Sequence, residues 1–229
     1  MEQGWLSVLD AWDKAWFLTL NGLHNTFWDG FMSACTDKWV WLPLYLLLIF
    51  LVVRRYGRQS VLVLLAVVLV IVLCDQWASG FCKPFFARLR PGHCPELEGW
   101  VHLPVGRGDP YGFMSSHAAN TVGLATITAC LFRSRPYACL MAVWALLNMY
   151  SRLYLGMHYP LDLLCGALSG ALFGALGYGL VRVSAARLAT RLPASPRAQV
   201  GISPWEWGSV AALLTVTLLV CAVYAGWHC

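Results

Sequence analysis

Ser151 and Arg152 are followed by His158 and then, four residues on, by Asp162. Two groups of the same chemical kind come earlier: Lys83 with Arg90-Pro91, and Ser115-Ser116-His117. Together they supply three cations, two histidines, a carboxylate and a hydroxyl-rich turn. That set suits holding a phosphate and attacking it. Phosphoryl transfer needs fixed positive charge around the non-bridging oxygens, where negative charge is spread. Lys83 offers a compact charge; Arg90 and Arg152 offer forked donors. A neutral histidine attacks through one ring nitrogen while the other donates to an orienting acceptor. Pro160 suits the first turn of a helix, so Asp162 sits one turn in and can reach back to His158, as in the orienting half of a catalytic triad. His117 can then protonate the leaving oxygen and later deprotonate water. Ser115 reads as an N-cap, which leaves backbone N–H groups near 116 and 117 free to point at an anion.

Each part alone has a blander reading. A lone histidine at a helix start is usually a cap or an interface residue, and a Lys or Arg beside an apolar run usually snorkels to headgroups. What outweighs those readings is convergence, and convergence depends on the elements that carry the residues.

Those elements belong to a membrane protein. Of 229 residues, 59% are hydrophobic and 12% charged, against roughly 25% charged in soluble domains. The apolar runs are long enough to cross a bilayer, for which about 20 residues suffice. The expected fold is all-α: one polytopic membrane domain, residues 1–229, with no signal-peptide pattern at its start. Six spans are expected, at Trp39–Val53, Gln59–Ser79, His117–Phe132, Pro136–Tyr150, Pro160–Val181 and Trp207–Trp227. Residues 1–38 read as tryptophan-rich amphipathic helices lying in the interface, broken at Asn21-Gly22. Residues 183–204 read as a cytoplasmic loop and 205–229 as the C-terminal transmembrane helix. Gly166, Gly170 and Gly174, four apart, form a strip that permits close helix approach.

With six spans the basic residues sort by side. Arg54, Arg55, Arg58, Arg133, Arg135, Arg182, Arg187, Arg191 and Arg197 fall on one side, together with a single acidic residue, Glu206. The positive-inside rule makes that side cytoplasmic. All three motifs then lie on the opposite face, delivered by four helix ends. The net charge of +5 forms no single patch, so nucleic acid is not implied as a partner. Charges sit at the span ends rather than at the midplane, which argues against a transporter. The nine cysteines make no metal-like spacing. Cys130, Cys139, Cys165 and Cys221 read as small buried hydrophobes. Cys82 and Cys94 bracket the Lys83–Arg90 segment and are the two that a disulfide in that loop would join.

The pattern Lys83-x6-Arg90-Pro91, Ser115-Ser116-His117 and Ser151-Arg152-x5-His158-x3-Asp162 resembles the three-part signature of the type 2 phosphatidic acid phosphatase superfamily, which includes membrane lipid phosphatases and soluble vanadium haloperoxidases. The resemblance covers about residues 75–182, the expected catalytic core, and the hydrophobicity points to the membrane branch, bacterial in type. It implies His158 as a nucleophile forming a phosphohistidine, Asp162 as its orienter and His117 as general acid and base. It implies phosphate binding by Lys83, Arg90, Ser115, Ser116 and Arg152, and a reaction needing no metal or other cofactor. Where the family usually has Pro-Ser-Gly-His, this chain has Met114-Ser115-Ser116-His117, and the Ser in place of Gly adds a side chain where backbone approaches the phosphate.

The expected function is dephosphorylation of a membrane lipid, at the extracytoplasmic face of the inner membrane. Lipid A phosphate and undecaprenyl pyrophosphate are favoured over phosphatidylglycerol phosphate and phosphatidic acid; a non-catalytic lipid-binding protein is the reading without chemistry. Arg88, His93, His102 and Arg107, in the loop on the active face, read as solvated residues or as grips for a sugar or second phosphate.

Overall fold

Helices form wherever the apolar runs are long enough, because a chain in hydrocarbon must close its backbone hydrogen bonds within itself. The computed structural model describes residues 2–187 and 195–227. These form α1 (Glu2–Asn21), α2 (Thr26–Thr36), α3 (Leu42–Tyr56) and α4 (Ser60–Asp75). A π-helical segment, Gln76–Cys82, continues α4 into the short α5 (Lys83–Phe86). After a long loop come α6 (Ser116–Phe132), α7 (Arg135–Tyr154), α8 (Pro160–Arg187) and α9 (Pro204–Trp227). The fold is a helical membrane bundle. Among the described residues the one β pairing is an isolated antiparallel bridge, Leu89 to Tyr111.

Among the described residues, three runs are long and apolar enough to cross a membrane: Leu42–Phe86, Pro160–Arg187 and Pro204–Trp227. The first holds both α3 and α4, which pack on each other across a turn at Gly57, φ +54°. Helices α6 and α7, expected as spans, are not among these runs. The first is 17 residues long, and the second carries Asn148 and Arg152. Helix α8 continues past the expected end at Val181 to Arg187, so the loop expected from 183 starts later; Arg191 lies outside the described residues.

The bundle is polarised inside out. On α8, Leu164, Leu168, Leu172, Leu176 and Leu180 are exposed while Gly166, Gly170, Gly174 and Gly177 are buried. A row of leucines facing outward is costly in water and is the arrangement lipid favours. The glycine strip lies on α6. A Cβ at Gly166 would sit 2.5 Å from the Ser115 carbonyl oxygen, and one at Gly170 would sit 2.3 Å from that of Ala119. Glycine is therefore required for this contact, which brings the start of α8 against the start of α6.

Helix α1 follows the same logic. Trp5, Leu9, Trp12 and Trp16 are exposed, whereas Asp13, Phe17 and Asn21 are buried against α7 and α8. Its apolar face turns outward and its polar face turns to the protein. Asn21 Nδ2 donates to the Tyr154 carbonyl at 2.7 Å, satisfying one of the free carbonyls at the end of α7. Cys82 and Cys94 are both free thiols. Cys82 is buried with Ala78 and Met114, while Cys94 packs in the cluster around Phe17 and Tyr159, so the disulfide considered for that loop is not formed.

Candidate active site

Helix ends carry the predicted residues to one place. Lys83 opens α5 directly after the π-helical segment, a distortion that recurs at functional sites. Its Nζ donates to Ser79 Oγ at 3.3 Å. Arg90 is placed by a short extended pairing, with its N–H donating to the Pro110 carbonyl at 2.8 Å and the Gly112 N–H to the Arg88 carbonyl at 2.8 Å. Residues two apart in extended backbone face the same side, so Arg88 and Arg90 both turn toward α8. Arg90 is buried, with Nε donating to the Tyr111 carbonyl at 3.2 Å and Nη1 lying 3.4 Å from Met157 Sδ.

Ser115 caps α6, its Oγ accepting from the Ala118 N–H at 3.4 Å. The side chain has no exposed surface. Within the serine motif, Ser115 caps the helix terminus, and the N–H groups of Ser116 and His117 lie in that first turn. Ser116 is half-buried at the first position of α6. His117 lies within electrostatic reach of Arg152, His158, Lys83 and Arg90, so the acid/base candidate, the nucleophile candidate and the three cations share one site. Arg152, in the last turn of α7, donates from Nη1 to Thr36 Oγ1 at 3.0 Å, and its buried Nε has no hydrogen-bond partner.

His158 lies between α7 and α8 and is 1% exposed. Its Nδ1 is 3.6 Å from Asp162 Oδ2 and has no hydrogen-bond partner. The pair is in place but looser than a hydrogen bond; such bonds commonly tighten only when substrate is present. Burial holds the His158 pKa below the usual histidine value; nearby Asp162 opposes that shift, and Arg152 and Arg90 add to it. The imidazole is thus neutral at pH 7, with a lone pair to offer. Asp162 is itself held from several directions. Its Oδ2 accepts from the Tyr159 N–H at 3.0 Å, its Oδ1 from Arg88 Nη1 at 2.8 Å, and its carbonyl from the Ser115 N–H at 3.1 Å.

Arg88 has neither of the roles expected for it, solvated loop residue or grip for substrate. Its Nη2 donates to Asp10 Oδ1 at 2.9 Å and Asp13 Oδ2 at 2.8 Å, and the guanidinium lies 4.3 Å over the Tyr159 ring. Burial opposes its charge, but Asp162, Asp13 and Asp10 outweigh that and raise its pKa. Sequence reasoning overlooked Asp10 and Asp13. The available signal was their place on the polar side of an interfacial helix, where buried carboxylates need a cation. These three carboxylates surround Arg88. Of the remaining loop residues, His102 Nε2 and Tyr154 Oη both lie 2.7 Å from Asp29 Oδ1, which ties the loop to α2 and α7. Arg107 meets exposed Glu98 at 3.5 Å, and His93 Nε2 meets the Gly108 carbonyl at 3.0 Å.

An apolar crevice of about 590 Å³ runs between α3, α4, α6 and α7, lined by Tyr45, Leu48, Val67, Leu124 and Trp144. It also reaches Asn120 and Thr121, one helical turn beyond His117.

The family model of the PAP2 superfamily matches residues 59–186. The chain is 37% identical over 219 residues to a lipid A 4'-phosphatase of Bacteroides thetaiotaomicron, covering 94% of this chain and 96% of that protein. It is 36% identical over 187 residues to a lipid A 4'-phosphatase of Porphyromonas gingivalis, covering 80% and 78%. Among solved structures, LpxE of Aquifex aeolicus superposes with a TM-score of 0.56 at 27% identity, covering 72% of this chain and 93% of that one.

Proposed function

Since the chain belongs to the PAP2 superfamily and is a membrane lipid phosphatase, we propose that it removes a phosphate from lipid A, the 4'-phosphate in particular, through a phosphohistidine on His158. The chemistry rests on one observation: a buried His158 whose Nδ1 lies 3.6 Å from Asp162 Oδ2, with the charges of Lys83, Arg90 and Arg152 felt at the neighbouring His117. His158 Nε2 attacks phosphorus while Nδ1–H donates to Asp162. The three cations and the first turn of α6 take the charge on the non-bridging oxygens. Burial and the neighbouring cations hold the His117 pKa low in the free site; the bound phosphate anion opposes that shift, so His117 carries a proton with substrate in place and gives it to the leaving sugar oxygen. Water activated by His117 then releases phosphate from His158. No step in this scheme uses a metal.

The choice of lipid A is supported by similarity along almost the whole chain to proteins of that activity. The crevice beside α6 gives an acyl chain an apolar place close to His117. Within the single domain, residues 75–182 carry the chemistry. The arginine-rich ends support a cytoplasmic side for residues 183–204 and a site on the periplasmic face of the inner membrane.

The test is mass spectrometry of lipid A after incubation with purified protein. Loss of one phosphate, located at the 4' position by fragmentation, is the expected result. Intact lipid A alongside phosphate release from undecaprenyl pyrophosphate, run in parallel, would reassign the substrate.

A further inference from the structure

A carboxylate without exposed surface needs a partner, and Asp162 has no exposed surface. Its cation is Arg88, which forms a bond of 2.8 Å to the oxygen facing away from His158. Arg88 is anchored in turn by Asp13, also at 2.8 Å. Asp13 is 4% exposed, and its second oxygen accepts from the Leu161 N–H at 2.9 Å, one of the unpaired amides in the first turn of α8. A single carboxylate on α1 thus holds both the guanidinium that grips Asp162 and the helix end from which Asp162 projects.

We propose that Arg88 and Asp13 are positioning residues of the reaction: Arg88 fixes the Asp162 carboxylate so that Oδ2 faces His158, and Asp13 locks Arg88 to the start of α8. The proposal deepens the reading of His158 as nucleophile and Asp162 as its orienter, and rests on it. It makes α1, which lies outside the matched stretch 59–186, a working part of the site. Arg88 is not a phosphate ligand in this arrangement. Three of its five N–H donors are committed to carboxylates and its face to Tyr159, so its charge is already matched by Asp162, Asp13 and Asp10. The bond to Asp162 Oδ1 also has a chemical consequence. It leaves Oδ2 with the Tyr159 amide and the histidine, the geometry that selects the Nδ1–H tautomer and leaves Nε2 free to attack.

The experiment compares full-length wild-type protein with Arg88→Gln, Asp13→Asn and the double variant, using lipid A in mixed micelles. Arg88→Gln should lower kcat by about 10²-fold and Asp13→Asn by about tenfold, with KM within about twofold of wild type, because misplacing a catalytic group costs rate rather than binding. The double variant should be no slower than Arg88→Gln within about twofold, since both residues act through one contact. An increase in KM at unchanged kcat for Arg88→Gln would show that it binds substrate and overturn the proposal, as would multiplying effects in the double variant. Should Arg88→Gln fail to fold, Asp13→Asn decides alone, and unchanged kcat there overturns it. A second readout needs no substrate: the Nδ1 resonance of His158 in ¹⁵N-histidine-labelled protein, assigned by its loss in His158→Ala. It should shift in both single variants. A resonance unmoved in both overturns the positioning role even where lipid A proves to be the wrong lipid, whereas shifted resonances without lipid A turnover uphold it and reject only the substrate.

Discussion

His158 Nδ1 lies 3.6 Å from Asp162 Oδ2, an oxygen that already accepts the Tyr159 amide at 3.0 Å. The carboxylate is therefore held in place before the histidine engages it, and a small movement of the ring closes the pair. His158→Ala should abolish phosphate release from lipid A. Asp162→Asn should lower kcat by about 10³- to 10⁴-fold, as for other histidines deprived of their orienting carboxylate. Both variants should purify as folded protein, checked by thermal unfolding in detergent. Turnover by His158→Ala close to wild type would rule out the mechanism.

The same burial sets a pH dependence. The His158 pKa is depressed because its charged form is desolvated, so the ring keeps its lone pair as pH falls through the ordinary histidine value of about 6.5 and loses it only at lower pH. The acidic limb of kcat/KM, which reports the free enzyme, should accordingly fall below pH ~6.5. A steady-state pH profile with its acidic limb above that value would contradict a neutral, buried nucleophile.

Close packing of α8 on α6 fixes the distance between the two halves of the site. A Cβ at Gly170 would meet the Ala119 carbonyl oxygen at 2.3 Å, whereas one at Gly179 meets nothing within 4 Å. Gly170→Ala should push the helices apart, weaken the Ser115–Asp162 backbone bond, and cost about 1–3 kcal/mol of stability, the usual range for overpacking. Gly179→Ala should be neutral. Thermal unfolding and phosphate release, measured on both variants, check this contrast. Equal behaviour of the two would mean that the glycine strip does not set the site.

Much of this was legible in the sequence because it is local. The motif residues lie at helix ends, and apolar runs in lipid have few alternatives to helix. Gly166, Gly170 and Gly174 announce a contact face by their spacing alone. What could not be read is the partner of each buried charge. Arg88 reaches Asp162 across 74 positions and Asp13 across 75, and no periodicity links them. The tryptophans of α1 advertised its lipid-facing side, while its function lies in the carboxylates opposite. Ser115 was recognisable as a cap because that role is local, and its Oγ does accept from the Ala118 N–H.

The proposed mechanism meets phosphate with cations and helix N–H groups. The carboxylates Asp10, Asp13 and Asp162 are occupied by Arg88, so they do not form the paired acidic ligands of a two-metal site. Chelators should leave phosphate release intact. Vanadate, which adopts the five-coordinate geometry of in-line attack, should inhibit competitively. Loss of activity in a chelator, restored by a divalent ion, would require a different mechanism.

Orientation follows from charge. By the expected span order nine arginines fall on the side away from the motifs, and an excess of Lys/Arg sets the side retained in the cytoplasm. The site should then face the periplasm. Labelling of introduced cysteines tests this, and the structure guides where to place them. Gly108 is unsuitable because it has φ +64° and a Cβ there would lie 2.9 Å from Arg90 Nη1. Val105, in the same loop, is 45% exposed, and Val200, before α9, is 63% exposed. In a background lacking Cys94 and exposed Cys139, Val105→Cys should react with an impermeant thiol reagent added to spheroplasts, and Val200→Cys should react only after lysis. The opposite pattern would place the active site in the cytoplasm and direct the substrate search to lipids of the inner leaflet.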